Sequence, residues 1–366
     1  MHIAVVGGGL TGLVAACDLL ATGADVTLLY DGLAPGGQIR TRHDRGFVVD
    51  DGAEGFVASD TAVPELCREL GLSDLILPQA TRRALMLEHG GMRELPPREA
   101  ATLLGIPVDA EAESTGVASL RGGMGALTDA VVRAITPRAR IRPATRVMAC
   151  RPHAGRWTVE VQHGRPVTAD GVVLATTPPE AARLLREHEP GAAGTLLALQ
   201  LHSSVSVSLG YATSSVTHAL DASGFVVHPY VVDAQGVRAC AFASSKFPDR
   251  APGGSVLLRA FFRPPPNDAT RPDDEWIGRA HHVLAAALDI RADPVAAWVA
   301  HWPGAIPQID AAQRLALREA STRVRGLGGI ELAGAPFGGG GVPGAVRSGR
   351  AAARSMVGSR TTSLPA

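Results

Sequence analysis

Lysine is almost missing from this sequence: Lys246 is the single one among 35 basic residues, the rest being arginine. The 35 acidic residues balance the basic ones, so the formal net charge is zero. That excludes an electrostatic footprint for nucleic acid or an anionic membrane. Cysteine is scarce as well. Cys17, Cys67, Cys150 and Cys240 lie far apart with no C-x-x-C pair, which argues against a disulfide framework or a metal site and fits a reducing cytosol. Aromatic residues make up only 4%, too few for a ready aromatic cage around an amine. Nor is there a long apolar run. The least polar stretch, 191–211, carries His202 and several serines and is a poor membrane span. The chain enters a strand at once, with no secretory leader, so a cytoplasmic protein is expected.

What is present is an α/β pattern long enough, at 366 residues, for two domains or for one with a large insertion. Residues 2–6 and 26–29 are apolar without alternation, as strands buried on both faces are. Between them, residues 11–22 place Leu13, Ala16, Cys17 and Leu20 on one helical face. This is a βαβ unit with a right-handed crossover. Further expectations are helices over 64–72, 127–135 and 273–288, a hairpin of 85–87 with 92–95, and strands over 156–161 and 172–176. A helix follows Pro178-Pro179. Residues 107–122 read as loop. Strands at 196–201, 205–209, 224–227, 237–243 and 256–262 suggest an antiparallel sheet inserted into the α/β domain. A last buried strand at 330–333, a glycine loop at 338–341 and a helix over 344–356 return the chain to the first domain. The tail from Ser355 is small and polar and is expected to fray.

Gly7, Gly9 and Gly12 form G-x-G-x-x-G at the first strand-to-helix turn. The first glycine permits the turn, the second lets backbone approach a pyrophosphate, and the third lets helix pack on strand. The helix N-terminus offers free N–H groups to phosphate. A carboxylate at the end of the second strand should then bind the ribose hydroxyls. Tyr30 stands there, with Asp31 one residue on. Either the strand end rotates so that Asp31 serves, or the ribose lacks its usual anchor.

GGQIRT (36–41) follows at the spacing of the GG-x-x-R-[ST] motif, and GFVVDDGAEGF (46–56) comes directly after it. Together these stretches resemble the flavin amine oxidase superfamily. More narrowly, LPPREAATLLGIP (95–107), LRGGMGALTDAV (120–131), ASSKFPDRAPGGSVLLRAF (243–261), HWPGAIPQ (301–308) and LAGAPFGGGGVPGAVRSGRAAA (332–353) are similar to bacterial protoporphyrinogen and coproporphyrinogen oxidases. The resemblance covers nearly the whole chain. It implies a Rossmann-like two-dinucleotide FAD domain with an inserted, mainly antiparallel substrate sheet, the p-hydroxybenzoate hydroxylase/amine oxidase type. The expected division is 1–80, 120–190 and 325–355 for FAD, 81–119 and 191–324 for substrate, and a tail from 356. The implied FAD contacts are Gly7, Gly9, Gly12, Gly36, Gly37, Arg40, Thr41, Val147 through its backbone, Ala175, Gly334, Gly341, Val342 and Pro343, with Asp31 as the ribose candidate. Negative charge on a reduced flavin would face the N–H groups of the helix that begins near Val342.

Three departures accompany the resemblance. Tyr30 replaces the family's glutamate. Gly344 replaces a residue that is usually acidic. The family's long helical lobe is reduced to VDAEAESTGVAS (108–119), which leaves a pocket that is open, smaller or completed by another chain, so a homodimer is one expectation. A flavin oxidase asks little of side chains, and no triad is visible. Arg83, with Arg82 beside it, could clamp a substrate carboxylate through its planar fork. Lys246 could face the flavin from the inserted sheet. His43, His89, His301 and Trp302 lie near matched segments. The leading reading is an FAD-dependent oxidase of a small, non-porphyrin substrate, with O2 reoxidising the flavin. The alternatives are porphyrinogen oxidation and a flavin-poor, non-redox role on the same scaffold.

Overall fold

The computed structural model describes residues 1–104, 115–265, 268 and 271–358. At its base lies a parallel five-stranded sheet in the order Arg140–Arg142, Asp25–Leu29, His2–Val6, Gly171–Leu174, Ile330–Leu332. Successive side chains of a strand point to opposite faces, and both faces here are apolar. Ile3, Val5, Val26 and Leu28 pack against helices Leu10–Ala21, Ala62–Glu69, Gly125–Ile135 and Gly341–Gly358 through Leu13, Leu66, Val131 and Val346. Ala4, Val6, Val172 and Leu174 face the other way. They meet Leu185, Leu196, Leu317 and Val324 of helices Pro178–Leu185, Pro190–Leu197 and Ala311–Gly326.

The second large sheet has seven strands, in the order Ala296–Gln308, Gln200–Ala212, Ser255–Phe262, Val237–Ala241, Gly224–Val227, Ala84–Glu88, Gly91–Leu95. Every pairing is antiparallel except that of 224–227 with 84–88. Helix Asp273–Leu288 covers one face with Trp276, Leu284 and Leu288. A hairpin, Thr41–Asp44 with Phe47–Asp50, reaches across from the first domain and sets Phe47 against Trp298. A small sheet places Val117–Leu120 between Phe56–Val57 and Ile76–Pro78.

Several expectations are corrected. Residues 196–201 are not one strand. Helix Pro190–Leu197 comes first, and strand begins at Gln200. Pro190 sits in the first turn, where its missing N–H is harmless, and Ala192, Ala193 and Leu196 supply the buried face. Strand Val237–Ala241 stops short of 243, and Ala243–Lys246 is a turn of helix. Within the presumed loop 107–122, residues 117–120 are strand, while 105–114 lie outside the described residues. The last helix starts at Gly341 and runs to Gly358, with Met356 buried, so the fraying expected from Ser355 does not begin there. Residues 359–366 lie outside the described residues. Two long elements went unread. Strand Ala296–Gln308 contains Pro303 and Pro307, which only an edge strand tolerates, and it is an edge strand. Helix Ala311–Gly326 opens on a capping box, Asp310 with Gln313. This helix and Pro190–Leu197 pack on the parallel sheet, whereas the expected division grouped them with the inserted one.

Candidate active site

The glycine turn is built for contact with something outside the protein. Gly7 has φ +122° and donates to Leu29 O at 2.8 Å. A Cβ on Gly7 would lie 2.2 Å from Ala175 O, and one on Gly12 would lie 2.0 Å from Gly7 O. Those two glycines are closed in by backbone, and Gly9 faces open space. Helix Leu10–Ala21 behind the turn has no side-chain cap and no acidic residue in its first turn, so its N-terminal dipole faces outward unopposed. Gly36 donates to Gly8 O at 2.8 Å, and a Cβ on Gly37 would come within 3.0 Å of Gly9 Cα. The second glycine motif is thereby locked onto the first.

The C-terminal glycine segment joins them. A Cβ on Gly349 would sit 2.5 Å from Thr11 O, so the first and last helices approach at backbone distance. Gly341, at φ +61°, begins the last helix, whose first turn also lacks acid. Gly334 donates to Ser348 Oγ at 3.0 Å. Gly344 is buried, and a Cβ there would press on Ala335 O at 3.1 Å and Gly338 at 3.2 Å. Packing of 335–340 on the helix thus gives a local reason for glycine at this position.

Facing this cradle, a buried ionic network holds residues 50–55 to the large sheet. Asp51, 1% exposed, accepts from Arg40 Nε at 2.5 Å and Arg42 Nε at 2.8 Å. Its carbonyl collects Arg259 Nη2 at 2.7 Å, Trp302 Nε1 at 2.9 Å and Ser206 Oγ at 3.1 Å. Arg259 also reaches Gly52 O at 2.8 Å, yet its Nε and Nη1 have no hydrogen-bond partner among the described residues. Lys246 Nζ pairs with Glu54 Oε1 at 2.5 Å, and Arg250 with Asp50 Oδ2 at 3.2 Å. Burial pushes the Glu54 carboxyl up, but Lys246 and then Arg259 outweigh it and hold it at about 2. At Asp50 burial wins over Arg250, Thr41 and the Met124 N–H, and its carboxyl is raised.

The profile of the family described as flavin containing amine oxidoreductase matches residues 88–357, and that of an NAD(P)-binding Rossmann-like domain matches residues 5–70. The chain belongs to the flavin-containing amine oxidase family. It is 27% identical to coproporphyrinogen III oxidase of Propionibacterium freudenreichii, over 84% of this chain and 81% of that protein. It is 22% identical to coproporphyrinogen III oxidase of Bacillus subtilis, over 96% and 97%. Among solved structures, a protein of Exiguobacterium sp. 255-15 provisionally named a protoporphyrinogen oxidase superposes with a TM-score of 0.83 at 21% identity, covering 97% of this chain and 98% of that one. The chain is therefore a flavin-dependent oxidase acting on a small molecule. Among the described residues, no helix is long and apolar enough to cross a membrane.

The residues present fit a flavin: the open Gly9 on a turn closed by Gly7, Gly12, Gly36 and Gly37, the uncapped N-terminus of helix Leu10–Ala21, and the last helix, whose first turn carries no acid. Ala175 supports the turn, its N–H bonded to Val6 O at 2.8 Å. Val342 and Pro343 are buried in the first turn of the last helix. Other expected contacts are already engaged. Arg40 is held by Asp51 and lies 5.5 Å from the Trp302 ring. Thr41 Oγ1 donates to Asp50 at 2.6 Å and accepts from Gly125 N at 2.7 Å. The Val147 carbonyl takes Arg183.

Arg83 does not present a free fork. It is exposed and paired with Glu94 at 3.0 Å and Asp221 at 2.5 Å. The three histidines do not converge: His43 is exposed, His89 bonds Tyr230 O, and His301 bonds Asp273. Sequence reasoning missed Asp51, Glu54, Arg250 and Arg259. The signal was available, because a charge inside a run such as VLLRAFF must find a buried partner.

Proposed function

We propose that this chain oxidises a porphyrinogen, with FAD as its cofactor and O2 as the acceptor that restores it. One observation carries the substrate class: two curated relatives named coproporphyrinogen III oxidase match most of this chain and most of their own length. Support for FAD rests on the G-x-G-x-x-G turn at the head of helix Leu10–Ala21, the fingerprint of a dinucleotide pyrophosphate, with the second glycine pair bonded to it. When bound, the flavin accepts the hydrogens removed from substrate. The protein's part is placement. Gly9 and the first N–H groups of helix Leu10–Ala21 would hold phosphate on a turn that Gly7 and Gly36 shape through their own backbone bonds, and N–H groups from Gly341 onward would stabilise negative charge beside them. Lys246, tied to Glu54, holds residue 54 against the inserted sheet. The Arg259 network fixes residues 50–55 and keeps that wall rigid.

A second reading, oxidation of a smaller non-porphyrin substrate, is favoured by one observation. The Bacillus subtilis alignment runs over 461 positions, whereas 96% of this chain is about 351 residues, so about 110 positions of the alignment have no residue of this chain. Anaerobic mixing of the flavin-loaded protein with coproporphyrinogen III decides. The porphyrinogen reading predicts rapid bleaching of the oxidised flavin, with porphyrin appearing only once O2 is admitted, because a porphyrinogen gives up more hydrogens than one flavin can take. A flavin that stays oxidised with coproporphyrinogen, and with protoporphyrinogen, would overturn that reading and leave the second.

A further inference from the structure

The adenosine end of the cradle departs from the rest. Tyr30 ends the second strand, and its side chain lies across the glycine turn. A Cβ on Gly8 would be 2.6 Å from Tyr30 Cγ and 2.8 Å from its Cδ1. Tyr30 itself is only 9% exposed. Its backbone is fixed on both sides, donating to Arg142 O at 3.3 Å and accepting from Thr145 N at 2.8 Å. The strand end is therefore not rotated to bring the next residue inward, and Asp31 remains exposed on the turn beyond. The backbone of Val147, an expected FAD contact, is engaged as well. Arg183, itself gripped by Glu180, donates to the carbonyls of Val147 and Met148.

We infer that Tyr30 sets the cofactor selectivity of this chain: it fills the place of the ribose-binding carboxylate, so the adenosine sugar is not read. Binding is carried by the pyrophosphate and flavin ends, through the glycine turns and the two helix N-termini. This deepens the FAD reading and rests on it. A carboxylate accepting from the two ribose hydroxyls forms charge-assisted hydrogen bonds, and its absence removes about 10- to 100-fold of affinity. The ring in its place seals the turn with apolar surface, so the turn keeps its shape without a sugar against it.

The test is direct binding, read by quenching of flavin fluorescence on apoprotein, with FAD and its 2′-deoxyadenosine analogue as probes. The unaltered chain should bind the two within about threefold of each other. Tyr30→Glu should tighten FAD about 10- to 100-fold and leave the deoxy analogue much less improved. Asp31→Asn and Tyr30→Phe should change neither. A tenfold or greater preference of the unaltered chain for FAD over the deoxy analogue would overturn the inference, and needs no variant to fold. Loss of that preference in Asp31→Asn or Tyr30→Phe would name the true anchor. Failure of both dinucleotides to bind would instead overturn the FAD reading, and this inference with it.

Discussion

Among the described residues Glu54 is the carboxylate that faces Lys246 and Arg259 together, and Glu54→Gln removes it. The effect can be sized from the titration of Glu54. Its carboxyl is lowered from 4.5 to about 2, and that difference corresponds to about 3 kcal/mol of folding stability at neutral pH. The side chain is 19% exposed, so little of this is lost to solvent screening. The figure matches the lower end of the cost, about 3–5 kcal/mol, of breaking a buried ion pair from one side. With an unfolding entropy near 2.1 cal/mol/K per residue, about 3 kcal/mol in a chain of 366 residues lowers the midpoint by about 4 °C. The sign with pH follows from a depressed acid. The stabilisation is complete above 4.5 and is lost as pH falls through about 2. Scanning calorimetry of wild type and Glu54→Gln from pH 7 down to pH 3 is the assay. The deficit of the variant should shrink to less than half by about pH 3. A deficit that stays constant over this range, or a variant as stable as wild type at pH 7, would refute the electrostatic account of this pair.

Two further expectations concern single residues. Gly12→Ala places a methyl 2.0 Å from Gly7 O, a backbone atom that cannot step aside; the turn must move, stability should fall by about 1–3 kcal/mol, and a flavin titration should show affinity about 10- to 100-fold weaker. Unchanged flavin affinity would mean that the turn does not hold the cofactor. Arg83→Ala should leave substrate affinity within about fivefold, because both partners of Arg83 are exposed acids; a larger loss in steady-state kinetics would return Arg83 to the substrate site.

The parallel sheet and its glycine turn were legible because the physics there is local. Apolar runs buried on both faces and glycines at fixed offsets leave a pattern within about 30 residues. Strand Ala296–Gln308 was not legible, since its prolines argue against a strand unless one knows that it lies at the edge. Helix Ala311–Gly326 buries only Leu317, Ala320 and Val324, too thin a stripe to stand out against its charged majority. Within the site, the glycines and Lys246 could be named from sequence, but their partners could not. Asp50 meets Arg250 across 200 residues of chain, and Glu54 meets Lys246 across 192. Such pairings have no periodicity, and only the burial of each charge demands that they exist.

The network also explains why the two sheets hold one relative position. The segment 50–55 comes from the flavin-binding half, and its anchors Ser206, Lys246, Arg250, Arg259 and Trp302 all come from the inserted half. Most of these bonds involve a charged donor and an oxygen shielded from solvent, so none can slip by a fraction of an ångström without stranding a buried group. Apolar contact alone would permit such slippage, because it has no preferred direction. Directional bonds at the junction therefore tie the parallel sheet and the large antiparallel sheet together. The loss of stability in Glu54→Gln should accordingly be accompanied by weaker flavin binding, although Glu54 is not among the cradle residues.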